Sequence, residues 1–475
     1  MLFPTPEYAI FFLAIFAAAW AARRSARAHK GLLLGASYLF YGYWDWRFLP
    51  LLIGISLLAA LAGQRIQAER RSAARKAILA AAAATCLGAL GIFKYLGFGA
   101  AAFISLLELV GVHPGPVSLP EIALPVGVSF FVFHAISLMV DAYRGRIPVK
   151  VTVLDSLLYV AFFPQLVAGP ILRASSFLPQ LAAPPDPSSV DVARALELIV
   201  VGLVKKVLIA SFLATYLVDP AFASPSEHPG LEALLAIYGY AAQIYCDFSG
   251  YTDMAIGSAL LLGYRFPENF DAPYRATSPQ DFWHRWHISL SSWLRDYLFV
   301  PLGGSRRGSR RTLINLALTM VLGGLWHGAA WTFVIWGAFQ GAGLIVHRLW
   351  AASPSSSVKA VRSWVGWPHL ARVLTFHFVC LGWVLFRAPS LEGAAELLGS
   401  LFQPWQAGPW LTAAALLAIA LGILGPDFPS RARGVLRLRF SRLPLSVQGL
   451  AFALAVLAIE AAGPQGVAPF IYFQF

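Results

Sequence analysis

Charge is scarce in this sequence: only 12% of its 475 residues are Asp, Glu, Lys or Arg, against 58% hydrophobic residues and a mean hydropathy of +0.66. Its 23 acids and 36 bases are too few to cover two or three globular domains, which excludes a soluble multi-domain enzyme. Cysteine is equally sparse. Cys86, Cys246 and Cys380 form no CxxC pair and no even-numbered framework, so a disulfide scaffold and a thiolate metal site are both excluded. No HExxH and no GxSxG occurs, and "DFSGYTD" at 247–253 has the wrong spacing for a Ser-His-Asp hydrolase. There is no internal repeat. Polar connections such as "AAPPDPSS" (182–189), "ASPSEHPG" (223–230) and "SPSSS" (353–357) are turn compositions, and none could bury a core of its own.

What remains is a series of apolar runs near the length that crosses a hydrocarbon core, the signature of an all-α, polytopic membrane protein. The run "EYAIFFLAIFAAAWAA" follows no basic region and carries no clear cleavage site, so it reads as a first span rather than a signal peptide. The formal charge of +13 then belongs to cytoplasmic loops and does not mark a nucleic-acid partner. Basic clusters follow 1–22 (Arg23, Arg24, Arg27, Lys30) and 31–63 (Arg65, Arg70, Arg71, Arg75, Lys76), with "YGYWDWRFLP" splitting the latter region into two crossings. Both clusters are therefore expected in the cytoplasm and the N-terminus outside. The next cluster (Arg144, Arg146, Lys150) keeps to that side only if 95–112 is interfacial or re-entrant. Pro164, Gly169 and Pro170 mark 162–171 as a second broken segment.

Three polar groups stand out in this apolar setting. In "DFWHRWHISLSSWLRDYLFVPLGG" (281–304), Phe282, Trp286, Leu290, Trp293 and Tyr297 recur at helical spacing, with His284, His287, Ser291 and Arg295 on another face. That pattern predicts one amphipathic helix over 281–300, read from periodicity first as an interfacial helix and second as a ligand-lined face. His284 and His287 share a face as a metal pair would, but no third ligand completes a site. In "GGLWHGAAW" (323–331), the run from Thr312 to Trp326 covers roughly 22 Å at about 1.5 Å per residue, short of a core of about 30 Å. His327 is thereby placed inside the membrane, where an ionisable side chain is a functional candidate. Finally, "IYCDFSGYTDMAIG" (244–257) carries Asp247 and Asp253, expected to pair with arginines of 281–295.

Taken together, "FWHRWHISLSSWLRDYLFVPLGG", "LWHGAAWTFVIWGAFQG", "YCDFSGYTDMAIG", "FFPQLVAGPI" and the terminal "PFIYFQF" resemble the membrane-bound O-acyltransferase family, in its bacterial, alginate O-acetyltransferase-like branch. The resemblance implies a single membrane domain over 1–475, with about ten transmembrane helices and re-entrant segments around a buried funnel. It places the family's deep histidine at His327 and its second polar position at His287, leaving His284 outside the pair.

On that reading Trp286, Ser291, Arg295 and Trp326 line the approach to the site. Arg306, Arg307, Arg310 and Arg311 could draw the phosphates of acetyl-CoA, although the positive-inside rule already accounts for them. The implied reaction takes acetyl from a cytosolic donor to an exported polysaccharide, with no bound cofactor or metal. A separate periplasmic acetyltransferase serves as partner, and the chain sits in a bacterial inner membrane with both termini periplasmic. Transfer of D-alanine from a carrier protein shares both histidines and is the nearest alternative. A transporter or flippase would show paired broken helices in two related halves, and no such symmetry occurs.

Overall fold

A computed structural model describes residues 1, 3–113, 122–167, 169–228, 230–405, 408, 411–427, 430–464 and 470–471, and only the backbone of 430, 431 and 433. Residues 469 and 472–475 of the terminal motif, residue 168 of the "FFPQLVAGPI" segment, and the side chains of Arg431 and Arg433 lie outside this set. All regular structure among the described residues is helical. Among the described residues, five helical stretches are long and apolar enough to cross a membrane: Ala26–Ala68, Ser72–Leu109, Val192–Ala223, Trp367–Arg387 and Leu445–Ala462. Three shorter apolar helices, Pro6–Ala22, Val128–Tyr143 and Ala413–Asp427, accompany them. Leucines 416, 417, 421, 450, 454 and 457 are all exposed, the inversion of the aqueous rule that a lipid-facing helix requires. The chain is an all-helical, polytopic membrane protein.

By packing, the described chain forms two compact units: residues 1–190 with 258–266, and residues 191–257 with 267–475. In the first unit, helix α1 (Pro6–Ala22) starts at Thr5, whose hydroxyl accepts from Tyr8 N at 3.3 Å, with Pro6 opening the first turn. Helices α2 (Ala26–Asp45) and α3 (Leu49–Ala68) are separated where Asp45 turns extended and its carboxylate accepts from Arg47 N at 3.0 Å. This is the division that "YGYWDWRFLP" signals. Helix α4 (Ser72–Leu90), by contrast, runs on through a π-turn at Gly91–Tyr95 into α5 (Leu96–Leu109). The segment expected to be separate and interfacial is therefore the continuation of one long helix, and α5 has no buried residue.

Helix α6 (Val128–Tyr143) is the core of this unit: it packs on α3 and α4, and fourteen of its sixteen residues are buried. Its N-cap, Gly127, has φ +73°, and a Cβ there would lie 2.8 Å from Leu166 O. Only glycine lets the two segments approach so closely. The broken stretch around Phe163–Leu166 is wholly buried, with Phe162 packed on Tyr264 and Phe177 at 5.2 and 5.3 Å. Irregular backbone in a membrane chain is tolerated where protein surrounds it in this way.

In the second unit, α7 (Val192–Leu203) crosses α8 (Leu231–Leu261) at paired glycines. A Cβ on Gly202 would meet Gly250 O at 2.6 Å, and one on Gly250 would meet Gly202 O at 2.7 Å. Just beyond the crossing, Lys205 pairs with Asp253 at 2.7 Å and buried Lys206 with Asp247. The two carboxylates thus pair with these lysines rather than with arginines of 281–295. Long basic side chains one turn from a close crossing reach α8 directly, and Asp247 also accepts from Ile471 N at 2.9 Å.

Candidate active site

The predicted helix over 281–300 is broken at its most polar point. Helix α9 (Pro279–Arg285) ends at Trp286, whose backbone is extended, and α10 (Ile288–Leu294) begins after His287, which sits in the left-handed region at φ 42°, ψ 54°. Ala272 and His287 are the non-glycine residues with positive φ among the described residues. A side chain held in this conformation marks a position that the surroundings over-determine.

Those surroundings are visible. Asp271 N donates to Arg285 O at 2.9 Å on one side of the break. On the other, Asn269 accepts from Ile288 N through its backbone oxygen at 2.9 Å and from Ser289 N through Oδ1 at 3.0 Å. Two of the unpaired amides that open α10 are satisfied in this way. The Ser291 hydroxyl closes the strap by donating within reach of both Trp286 O (2.9 Å) and His287 O (3.1 Å). Arg285, held by Asp281 at 2.8 Å and Asp271 at 3.3 Å, ties the loop to α9.

The break turns His287 inward and parts it from His284. His287 is fully buried, and neither of its ring nitrogens has a hydrogen-bond partner among the described residues. His284 is exposed, so the shared polar face that periodicity predicts does not exist. Arg295 points outward too, paired with its neighbour Asp296 at 2.7 Å. Ser291 holds backbone.

His327 is the last residue of α11 (Ser309–His327), which forms a tight hairpin with α12 (Trp331–Ala352). Glycines permit the closeness: a Cβ on Gly324 would lie 2.2 Å from Phe333 O, and one on Gly337 would lie 2.4 Å from Met320 O. The hairpin sets buried His327 against Trp336 at 5.2 Å, and Phe386 of α13 (Trp367–Arg387) adds a second wall at 5.1 Å.

Trp326 bridges the two histidines, its ring 6.2 Å from His287 and 5.0 Å from His327. Phe248 closes the far side of His287 at 4.6 Å. Trp286 is buried behind the break, 4.9 Å from Trp383, which stacks on Trp336 at 6.1 Å. Two basic side chains are therefore sheltered in an aromatic, water-poor enclosure within one unit, a setting in which hydrogen bonds and charges act far more strongly than in water. Arg306 and Arg307, on the connection into α11, and Arg310 and Arg311, in its first turn, are all exposed, with no ion-pair partner among the described residues. No group of three or more His, Cys, Asp or Glu able to hold a metal occurs among them either.

Periodicity missed Phe248, Trp336 and Phe386, which meet the histidines, and Asn269 and Trp383, which support their surroundings, because no pattern within 281–300 encodes partners from other helices and loops. Asn269→Ala is expected to lower activity about five- to tenfold and stability by about 1–2 kcal/mol, since it strands the Ser289 amide and loosens the break. Thermal melting together with turnover of the purified variant would check it.

Several known proteins are similar to this chain along most or all of its length. The model of the MBOAT, membrane-bound O-acyltransferase family, matches residues 130–385, which contain both histidines. The chain is 36% identical to a probable alginate O-acetylase of Pseudomonas putida over the whole of both proteins. It is 38% identical to that of Pseudomonas aeruginosa over 99% of this chain and 88% of the relative. Identity to a peptidoglycan O-acetyltransferase of Helicobacter pylori is 33%, over 84% of this chain and 79% of the relative. A polytopic helical chain with two histidines in one sheltered site, matched along its whole length to such enzymes, belongs to the membrane-bound O-acyltransferase family.

Proposed function

We propose that this acyltransferase passes acetyl from acetyl-CoA on the cytoplasmic side toward a polysaccharide outside a bacterial inner membrane. The observation that carries the reading is the pair of buried histidines set on either side of Trp326, one of them with both ring nitrogens unpartnered. The relatives named as acetylases of alginate and peptidoglycan support acetyl as the group and a glycan as the destination.

In this mechanism His327 accepts the proton of the attacking hydroxyl as its oxygen bonds to the thioester carbonyl carbon. An N–H of His287 donates to the carbonyl oxygen, which carries the negative charge of the tetrahedral intermediate. Collapse breaks the carbon–sulfur bond, and the leaving thiolate takes the proton from the His327 imidazolium. The aromatic walls exclude the water that would otherwise capture the acetyl group. A separate periplasmic acetyltransferase completes delivery to the glycan, and both termini of this chain face the periplasm.

The exposed cluster Arg306, Arg307, Arg310 and Arg311 spans the connection into the His327 helix and its first turn, where an anionic donor would enter. Neutralising these arginines in pairs is expected to raise the KM for acetyl-CoA severalfold with a smaller fall in kcat. Added salt should reproduce the effect on the wild type by screening. Steady-state kinetics on correctly inserted protein would measure both. An unchanged KM would remove the arginines from the donor site, and failure to use acetyl-CoA at all would favour D-alanine transfer from a carrier protein.

A further inference from the structure

Next to the histidines lies a polar pair that the mechanism above leaves unused. Gln340 is 1% exposed, and neither atom of its side-chain amide has a hydrogen-bond partner among the described residues. The indole Nε1 of Trp336, equally buried, has none either. Both residues lie on α12 four positions apart, so they share one face of the helix. That face meets α13 at Gly382. A Cβ there would lie 2.5 Å from Gln340 Nε2 and 3.5 Å from Trp336 Nε1, so the two polar edges converge on one small region, and only glycine brings α13 this close.

An unpaired amide and an unpaired indole N–H, both fully buried, are costly features; what sets this pair apart from the other unpartnered buried atoms is that the two converge at Gly382 beside the His327 wall. Burial in a hydrophobic wall would be served as well by leucine and phenylalanine. The position suggests the role: Trp336 stands 5.2 Å from His327, and Gln340 follows one helical turn further along α12. Four residues advance about 6 Å at roughly 1.5 Å each.

We infer that Gln340 and the Trp336 indole recognise an amide group in the arm of the thioester donor. With the thioester against His327, an amide two methylenes beyond the sulfur extends past the Trp336 ring, 5.2 Å from that histidine, toward the region that Gln340 and the Trp336 N–H both face. The Gln340 side chain offers both a donor and an acceptor to such an amide, and the Trp336 N–H offers a second donor. This inference rests on the thioester donor proposed above. It adds positioning residues that select donors by the chemistry beyond the reacting carbonyl. A site built to hydrogen-bond a substrate group discriminates strongly against analogues that lack it.

The test uses two small acetyl thioesters with the full-length protein. S-acetyl-N-acetylcysteamine carries the amide; S-pentyl thioacetate has the same reacting group with methylenes in its place. Thiol release would be measured for the wild type, Gln340→Met and Trp336→Phe, which keep side-chain bulk while removing hydrogen-bonding groups. The ratio of kcat/KM for the amide-bearing over the amide-free thioester is expected to fall about tenfold in Gln340→Met and about threefold in Trp336→Phe. A ratio unchanged in both variants, including one in which both donors slow equally, would overturn the inference while leaving the thioester reading in place. Refusal of both thioesters by the wild type would overturn that reading and this inference with it.

Discussion

Replacing His327 with alanine is expected to abolish acetylation, leaving less than about a thousandth of wild-type turnover, while membrane abundance stays close to normal. The expected size combines two losses at one atom. Removing a positioned base costs typically about a hundred- to ten-thousandfold, and the same imidazole also protonates the leaving thiolate. Stability should suffer much less, because the ring occupies the end of α11, bounded by Trp326, Trp336 and Phe386, and the hairpin itself is held by the glycine contacts at Gly324 and Gly337. Quantifying acetyl on the polysaccharide alongside the amount of inserted protein separates the two effects. Activity within about threefold of wild type would refute a chemical role for His327.

At His287 the backbone permits a sharper experiment than side-chain removal alone. Its φ of 42° disfavours any side chain, by about 1–2 kcal/mol relative to the right-handed region. Glycine carries no such penalty. His287→Gly and His287→Ala leave nearly the same space beside Phe248, but only alanine retains the strain. The glycine variant is therefore expected to be the more stable of the two by about 1 kcal/mol, while both lose at least about tenfold in activity. Thermal denaturation in detergent and turnover of the same samples give the comparison. Equal stability would remove the strain argument, and retained activity in either variant would remove His287 from the chemistry. Exposed His284 provides the control, since His284→Ala should cost far less. A larger loss at His284 than at His287 would reverse the assignment.

The sequence alone determined the solvent of this protein and much of its candidate chemistry. A chain with so few charges and such long apolar runs has to satisfy its backbone internally, which in this composition means helices. The division at Asp45 and the buried, broken backbone near Pro164 were legible because extended or proline-interrupted backbone leaves local signals. His327 was legible as a candidate because an ionisable side chain in so apolar a run is costly, and the family resemblance pointed to both His327 and His287.

Only the tertiary structure decided how these residues are presented. Periodicity continued a helix through His287, whereas the loop at Asn269 and Asp271 supplies hydrogen bonds that pay for breaking it, and no pattern within 281–300 encodes a partner that precedes it in the chain. For the same reason Asp247 and Asp253 found lysines instead of arginines: the glycine crossing of α7 and α8 fixes which charges come within reach. Trp336, Trp383, Phe386 and Gln340 read in sequence as ordinary apolar-helix residues. They become the walls and the polar edge of a site because close-packed helices bring α12 and α13 together at Gly382, a contact set by shape and not by local propensity.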